Sequence, residues 1–169
     1  MKAAYADPPY PGCAKRHYGP NAQEIDHRKL IDGLEDNFDC WTLSTASTTL
    51  RDILPLCPPE IRICAWVKPF AATPPNIMPF YAWEPIILKP AERKGKHKYF
   101  VRDWVMASPP IYHKKTKSNC HGQKPQEFCK WLFEIMELTP EDELTDMFPG
   151  SGVVTKCWNV FKSQRRIDV

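Results

Sequence analysis

Eighteen prolines are spread through this chain of 169 residues, and they cut its apolar sequence into short runs. Proline locks its own φ and lacks the N–H that a strand or helix interior needs. Regular elements here must therefore be brief and joined by stiff loops. Ala3-Ala4-Tyr5-Ala6 is a continuous apolar run of strand length, stopped by Asp7-Pro8-Pro9-Tyr10. Ile25, Leu30, Ile31, Leu34 and Phe38 then recur at helical spacing, with Asp26 placed to cap the start. Cys40 to Ser44 reads as a second strand. Ser47 is expected to cap a short helix carrying Leu50, Ile53 and Leu54, closed by Pro58-Pro59.

Ile61 to Val67 is a third strand and Glu84 to Leu88 a fourth, separated by a proline-rich loop at 69–80. A further strand is expected within Tyr99 to Val105. A helix follows from Lys124-Pro125, with proline in its first turn and Phe128, Trp131, Leu132 and Ile135 as its buried stripe. Glu143 to Phe148 is a strand leading into Pro149-Gly150-Ser151-Gly152, and Val153, Val154, Cys157, Trp158 and Phe161 belong to a last helix. Strands alternating with helices predict an α/β layer fold with a mostly parallel sheet, one domain over residues 1–169. Such sheets bind ligands beyond the carboxyl ends of their strands. The turns at 7–10 and 149–152 each follow a strand directly, so they can share one crevice although they lie far apart in the chain.

Apolar residues at 43% and charged residues at 25% indicate a buried core and exclude a disordered chain. No run of eighteen apolar residues occurs, so no membrane partner is expected. The opening residues hold Lys2, Asp7 and a cluster of prolines and do not look like a secretion signal. With seven cysteines and no C-x-x-C, reduced thiols in a cytoplasm are expected. Cys13 with His17, and His113 with Cys120 and His121, do not make a metal site by spacing, and none is expected.

The net charge of +3 conceals an asymmetry. From Lys89 to Lys117 nine basic residues (Lys89, Arg93, Lys94, Lys96, Lys98, Arg102, Lys114, Lys115 and Lys117) face only Glu92 and Asp103. That segment carries +7 and the rest of the chain −4. Most charge runs are solvated surface. With Tyr99, Phe100, Trp104 and Tyr112 interleaved, this one also suits contact with phosphates.

Two motifs carry chemistry. In Asp7-Pro8-Pro9-Tyr10 the prolines stiffen a turn and remove two N–H donors. What remains presents carbonyls, a carboxylate and an aromatic face, a set suited to an amino group on a flat ring. A tight turn with a buried tyrosine is the plainer alternative. In Asp146-Met147-Phe148-Pro149-Gly150-Ser151-Gly152, glycines allow close approach to the backbone and the following helix offers free N–H groups to an anion. The loop is neither a P-loop nor a G-x-G-x-x-G fingerprint.

Taken together, Asp7-Pro8-Pro9-Tyr10 near the start and Phe148-Pro149-Gly150-Ser151-Gly152 near the end resemble the S-adenosylmethionine-dependent amino-methyltransferases of DNA. Their order, catalytic motif first, resembles the beta class, and His121-Gly122-Gln123-Lys124-Pro125 is similar to the segment preceding the cofactor loop there. The compactness resembles bacteriophage-encoded forms, which would place the protein in a host cytoplasm. The resemblance implies a Rossmann-like methyltransferase sheet and transfer of a methyl group to the exocyclic N6 amine of adenine in DNA. It implies that Asp7, Pro8, Pro9 and Tyr10 are catalytic, with Asp7 and the Pro8 carbonyl accepting from the amine and Tyr10 stacking on a flipped base. It implies that Asp146, Phe148, Gly150, Ser151, Gly152 and Lys124 hold S-adenosylmethionine, with Asp168 a candidate for the ribose.

The family's sheet runs through two more strands beyond the cofactor loop, whereas here Ser163 to Val169 alone follow the last helix. The sheet is therefore expected to be minimal, with the strand at 143–148 near its edge and a second chain or a loop covering that edge; a homodimer is one expected state. The basic stretch at about 89–120 stands where larger relatives carry target recognition. Arg93, Lys94, Lys96, Lys98, Arg102, Lys114, Lys115 and Lys117 are its expected DNA contacts, with short or relaxed sequence specificity. Two other readings stay open: a catalytically silent nucleic-acid-binding module of the same fold, and an enzyme acting on cytosine N4 or on RNA.

Overall fold

A computed structural model describes residues 1–15, 19–69, 76–92, 100–109 and 123–164. Its six strands are β1 (Lys2–Ala6), β2 (Cys40–Ser44), β3 (Arg62–Val67), β4 (Trp83–Lys89), β5 (Trp104–Met106) and β6 (Glu143–Asp146). Its α-helices are α1 (His27–Asn37), α2 (Leu50–Ile53), α3 (Gln126–Ile135) and α4 (Val153–Gln164). The strands form one sheet in the order β5-β3-β4-β2-β1-β6. β1 runs parallel to both β2 and β6, and β3 parallel to β5. β4 is reversed against β2 and β3. This is the mostly parallel α/β sheet expected, with one antiparallel member, and β6 ends the order.

The alternation of side chains along β1 divides the core in two. Ala3 and Tyr5 face α3 and α4, packing with Cys64, Trp66, Ile86, Phe128, Leu132 and Trp158. Ala4 and Ala6 face the other way, onto Ile31, Leu34, Trp41, Leu43, Ile53 and Ile87. Both faces of the strand are covered, which is why its sequence is an uninterrupted apolar run. The Asp26 side chain caps α1 by accepting from Lys29 N at 3.1 Å, as its position suggested.

Several boundaries differ from expectation. Ser47 does not cap a helix: it begins a short 3-10 turn (Ser47–Thr49) that has no side-chain cap, and α2 follows. The strand expected within Tyr99 to Val105 is Trp104–Met106, because Ala65, Trp66 and Val67 of β3 are the residues it pairs with. Pro125 stands at the N-cap of α3, one position before the first turn. Cys129 and Phe133 are buried on that helix, while Ile135 is half-buried. β6 stops at Asp146, two residues short of Phe148, because Met147 and Phe148 bend away. No helix among the described residues is long and apolar enough to cross a membrane.

Candidate active site

The register of β1 against β6 decides where the two motifs go. Tyr5 and Asp146 are partners across the parallel pair, and Met147 N donates to Tyr5 O at 2.9 Å. Both chains leave the sheet at this level, from adjacent strands about 4.8 Å apart. The turn beginning at Asp7 and the turn beginning at Met147 therefore start side by side at the carboxyl edge of the sheet. Asp7 is close enough to Asp146 for its charge to act on that carboxyl.

The first turn is tied down behind its motif. Cys13 N donates to Tyr10 O at 2.8 Å, and Gly12 between them has φ +78°, a conformation that favours glycine. Both Gly12 N and Ala14 N donate to the Glu24 carboxylate, at 3.1 and 3.2 Å. Pro8 is buried, while Pro9 and Tyr10 are half-buried. Burial, reinforced by Glu84 and Asp7 against the opposing pull of Lys124, pushes the Tyr10 hydroxyl far above the usual phenol range. The Tyr5 hydroxyl, hydrogen-bonded to Ser44 Oγ at 3.0 Å, is raised in the same way, first by burial and next by Asp7. Neither phenol can serve as a base near neutral pH.

The second turn is built on positive φ. Gly150 has φ +46° and Gly152 φ +69°, and Gly152 N closes the turn onto Pro149 O at 2.6 Å. A Cβ at Gly152 would meet none of the described residues within 4 Å. Phe148 packs partly into the core face opposite Tyr5. The Asp146 carboxyl is raised above the usual range, first by burial and also by Asp7, against the Phe148 N–H and the Thr155 hydroxyl. Its Oδ1 is buried and accepts no well-formed hydrogen bond among the described residues.

A charged cluster lies beside Asp7. Lys124 Nζ lies 3.1 Å from Asp7 Oδ2 and 3.2 Å from Glu84 Oε2, with only 6% of its side chain exposed. Glu84 Oε1 pairs with Lys68. The Trp66 ring centroid is 4.7 Å from Lys68 Nζ and 5.1 Å from Lys124 Nζ. Burial opposes the Lys124 charge, but Asp7 and Glu84 outweigh it, and the ammonium stays protonated well beyond the usual lysine range. Burial likewise opposes the Glu84 charge, and Lys124 and then Lys68 hold its carboxyl below the usual range.

The structure thus brings together Asp7, Pro8, Pro9, Tyr10, Lys124 and Asp146, and it sets Phe148, Gly150, Ser151 and Gly152 on the adjoining turn. Arg102 is elsewhere. It precedes β5, its guanidinium lies 5.4 Å over the Trp104 ring, and its carbonyl accepts from Trp131 at 2.9 Å. β5 is the strand at the other end of the sheet order, so Arg102 lies four strand spacings from β1, roughly 19 Å across the sheet from Asp7. Asp168, Arg93, Lys94, Lys96, Lys98, Lys114, Lys115 and Lys117 lie outside the described residues, as do His17, His113, Cys120 and His121. A concavity lined by Met1, Phe38, Asp39, Lys89 and Asp142 contains none of the motif residues.

Sequence reasoning passed over Glu84 and Lys68. The one local signal was a lone carboxylate in the apolar run Trp83 to Leu88, and a lysine just before Pro69.

No family model and no curated protein matches the sequence. Solved structures do match the fold. The complex of M1.HpyAVI with S-adenosylmethionine superposes with a TM-score of 0.59 at 18% identity, over 96% of this chain and 78% of that one. A second structure of M1.HpyAVI gives a TM-score of 0.61 at 14% identity, over 96% of this chain and 76% of the other. The six-stranded sheet with its reversed β4 is accordingly a Rossmann-like sheet of the kind found in these two structures.

Proposed function

We propose that the chain transfers a methyl group from S-adenosylmethionine to the exocyclic N6 amine of adenine in DNA. One observation carries the reading: the Asp7-Pro8-Pro9-Tyr10 turn and the 147–152 turn leave adjacent parallel strands at one level. That placement, in a fold shared with M1.HpyAVI, crystallised with S-adenosylmethionine, supports a methyl donor on one turn facing an amine on the other.

The residues present fit such a cofactor. Among the described residues Asp146 Oδ1 is buried without a well-formed hydrogen bond, and nothing stands within 4 Å of a Cβ placed on Gly152, which leaves both open to a ligand's approach. Asp146, Phe148, Gly150, Ser151 and Gly152 would hold it, with the free first-turn N–H groups of α4 available to its anionic part. When bound, S-adenosylmethionine supplies an electrophilic methyl carbon; its bond to sulfur breaks as the amine nitrogen bonds to it, sulfur keeps the electron pair, and one amine proton passes to water.

The chain's own task is the amine. An aromatic amine is a poor nucleophile because its lone pair is delocalised into the ring. Asp7 and the Pro8 carbonyl accept its two hydrogens and favour the pyramidal nitrogen that attack requires, an effect felt most in the transition state. Asp7 need not remove a proton, since the nitrogen is acidic once methylated. Tyr10, kept a neutral phenol, offers its ring face to the base. A base inside a duplex cannot reach this crevice and must be flipped out or already unpaired. With a recognition segment of this size, sequence preference is short or relaxed.

The test is transfer of labelled methyl to DNA, followed by nucleoside digestion. Label on N6-methyladenine, lost in Asp7→Ala at a temperature where circular dichroism shows the variant still folded, is the expected result. Label on cytosine would move the reading to N4, and binding of DNA without transfer would favour the silent module.

A further inference from the structure

Glu84 stands between both lysines of the charged cluster beside Asp7. Its Oε2 shares Lys124 with Asp7 and its Oε1 holds Lys68; the Tyr10 hydroxyl lies near enough to the same carboxylate to feel its charge. It reaches this place because β4 is reversed, so that the start of this strand, and not its end, comes to the carboxyl edge of β1 and β2. We infer that Glu84 is a positioning residue for the transfer reaction, an inference that rests on the function proposed above: it apportions the Lys124 ammonium so that one oxygen of Asp7 is left for the acceptor amine.

The geometry supports the apportioning. Lys124 approaches Asp7 on the Oδ2 side, at 3.1 Å, and Asp7 Oδ1 makes no hydrogen bond among the described residues. An ammonium has three donors and will spread over whatever acceptors are near. Glu84 takes one share of them from the far side. Without its charge, Lys124 would be free to straddle both Asp7 oxygens and cap the acceptor that the amine needs.

Charge balance gives a second reason. Lys68 and Lys124 against Asp7 and Glu84 make a neutral set. The acceptor nitrogen becomes cationic as it takes the methyl group. One uncompensated ammonium beside it would oppose the transition state more than the bound substrate, so the loss should fall on kcat and not on KM.

The test uses the full chain and a charge-restoring pair of variants. Glu84→Gln keeps the shape but leaves a surplus positive charge. It should lower kcat about 10- to 100-fold, with KM for DNA and for S-adenosylmethionine within about threefold. Adding Lys68→Met restores neutrality, and Glu84→Gln/Lys68→Met should recover at least about tenfold of that loss. Retention of wild-type kcat by Glu84→Gln, or a double variant no better than the single one at equal thermal stability, overturns the inference. Side-chain ammonium NMR separates its failure from failure of the proposed reaction, because it needs no turnover. A slowly exchanging Lys124 ammonium in the wild type that loses its protection in Glu84→Gln sustains the positioning role even if no methyl is transferred. An unchanged Lys124 signal rejects it even if methyl is transferred.

Discussion

Asp7, on the turn after β1, and Lys124, just before α3, are held 3.1 Å apart in a pocket where the lysine is almost wholly buried. The pair joins the first strand of the chain to a helix near its end. Removing one member leaves the other charge buried without its partner, a loss worth about 3–5 kcal/mol in a fully enclosed site. Asp7 still has 26% of its side chain exposed, so Lys124→Met should fall toward the lower end of that range. Urea unfolding at neutral pH checks it, and Lys124→Met/Glu84→Gln should be less destabilised than Lys124→Met alone. A Lys124→Met variant as stable as the wild type would mean that water reaches this pair freely.

The acid side of the stability profile has two opposing contributors. Glu84 is held below its ordinary value, so it stabilises the fold above that value and loses the contribution as pH falls through the folded one. Asp146 is raised, so its ionised form costs stability at neutral pH and the cost disappears on acidification. Asp146→Asn should therefore stabilise the chain at neutral pH, with the gain shrinking as pH falls through the raised value. The same variant should weaken S-adenosylmethionine binding in calorimetry. Gains of equal size at neutral and acid pH would show that the carboxyl is not the source of the strain.

Gly152 separates backbone strain from steric blockage. Its φ of +69° disfavours any L side chain, at roughly 1–2 kcal/mol. Among the described residues a Cβ there meets nothing within 4 Å. Gly152→Ala should therefore fold, lose about 1–2 kcal/mol of stability, and lose affinity for S-adenosylmethionine by more than that strain alone accounts for. An affinity loss no larger than the stability loss would place the cofactor away from this turn.

Much of the frame was legible because β1 and β2 are covered on both faces and their sequences say so. Cys40–Ser44 matches expectation residue for residue, and Asp26 caps α1 as its spacing implied. Strand direction was not legible. Ile86 and Ile87 are buried on opposite faces, and an apolar run of that kind looks the same whichever way it points. The site was legible where its residues sit in motifs and illegible where they do not. Asp7 and Asp146 stand at strand ends beside prolines and glycines. Glu84 draws its partners from the end of β3, the turn after β1 and the approach to α3, and no local pattern records three such distant neighbours.

The basic stretch divides on the same ground. Arg102 counts equally with Lys94, Lys96 and Lys98 in a tally of charge, yet it precedes β5, four strands across the sheet from β1, and already stacks on Trp104. A strand whose base enters beside Asp7 gains little from a cation roughly 19 Å across the sheet, since surface charges beyond about 10 Å are screened at moderate salt. Charge reversal of Lys94, Lys96 and Lys98 should weaken DNA binding, with the log–log salt slope falling by about 0.9 for each phosphate no longer neutralised. Arg102→Glu should change both much less, and neither variant should alter S-adenosylmethionine binding. Fluorescence anisotropy across a salt series, with calorimetry of the cofactor, checks all three. An Arg102→Glu effect as large as that of the three lysines would mean that the nucleic acid wraps around the sheet to the far edge instead of meeting the crevice alone.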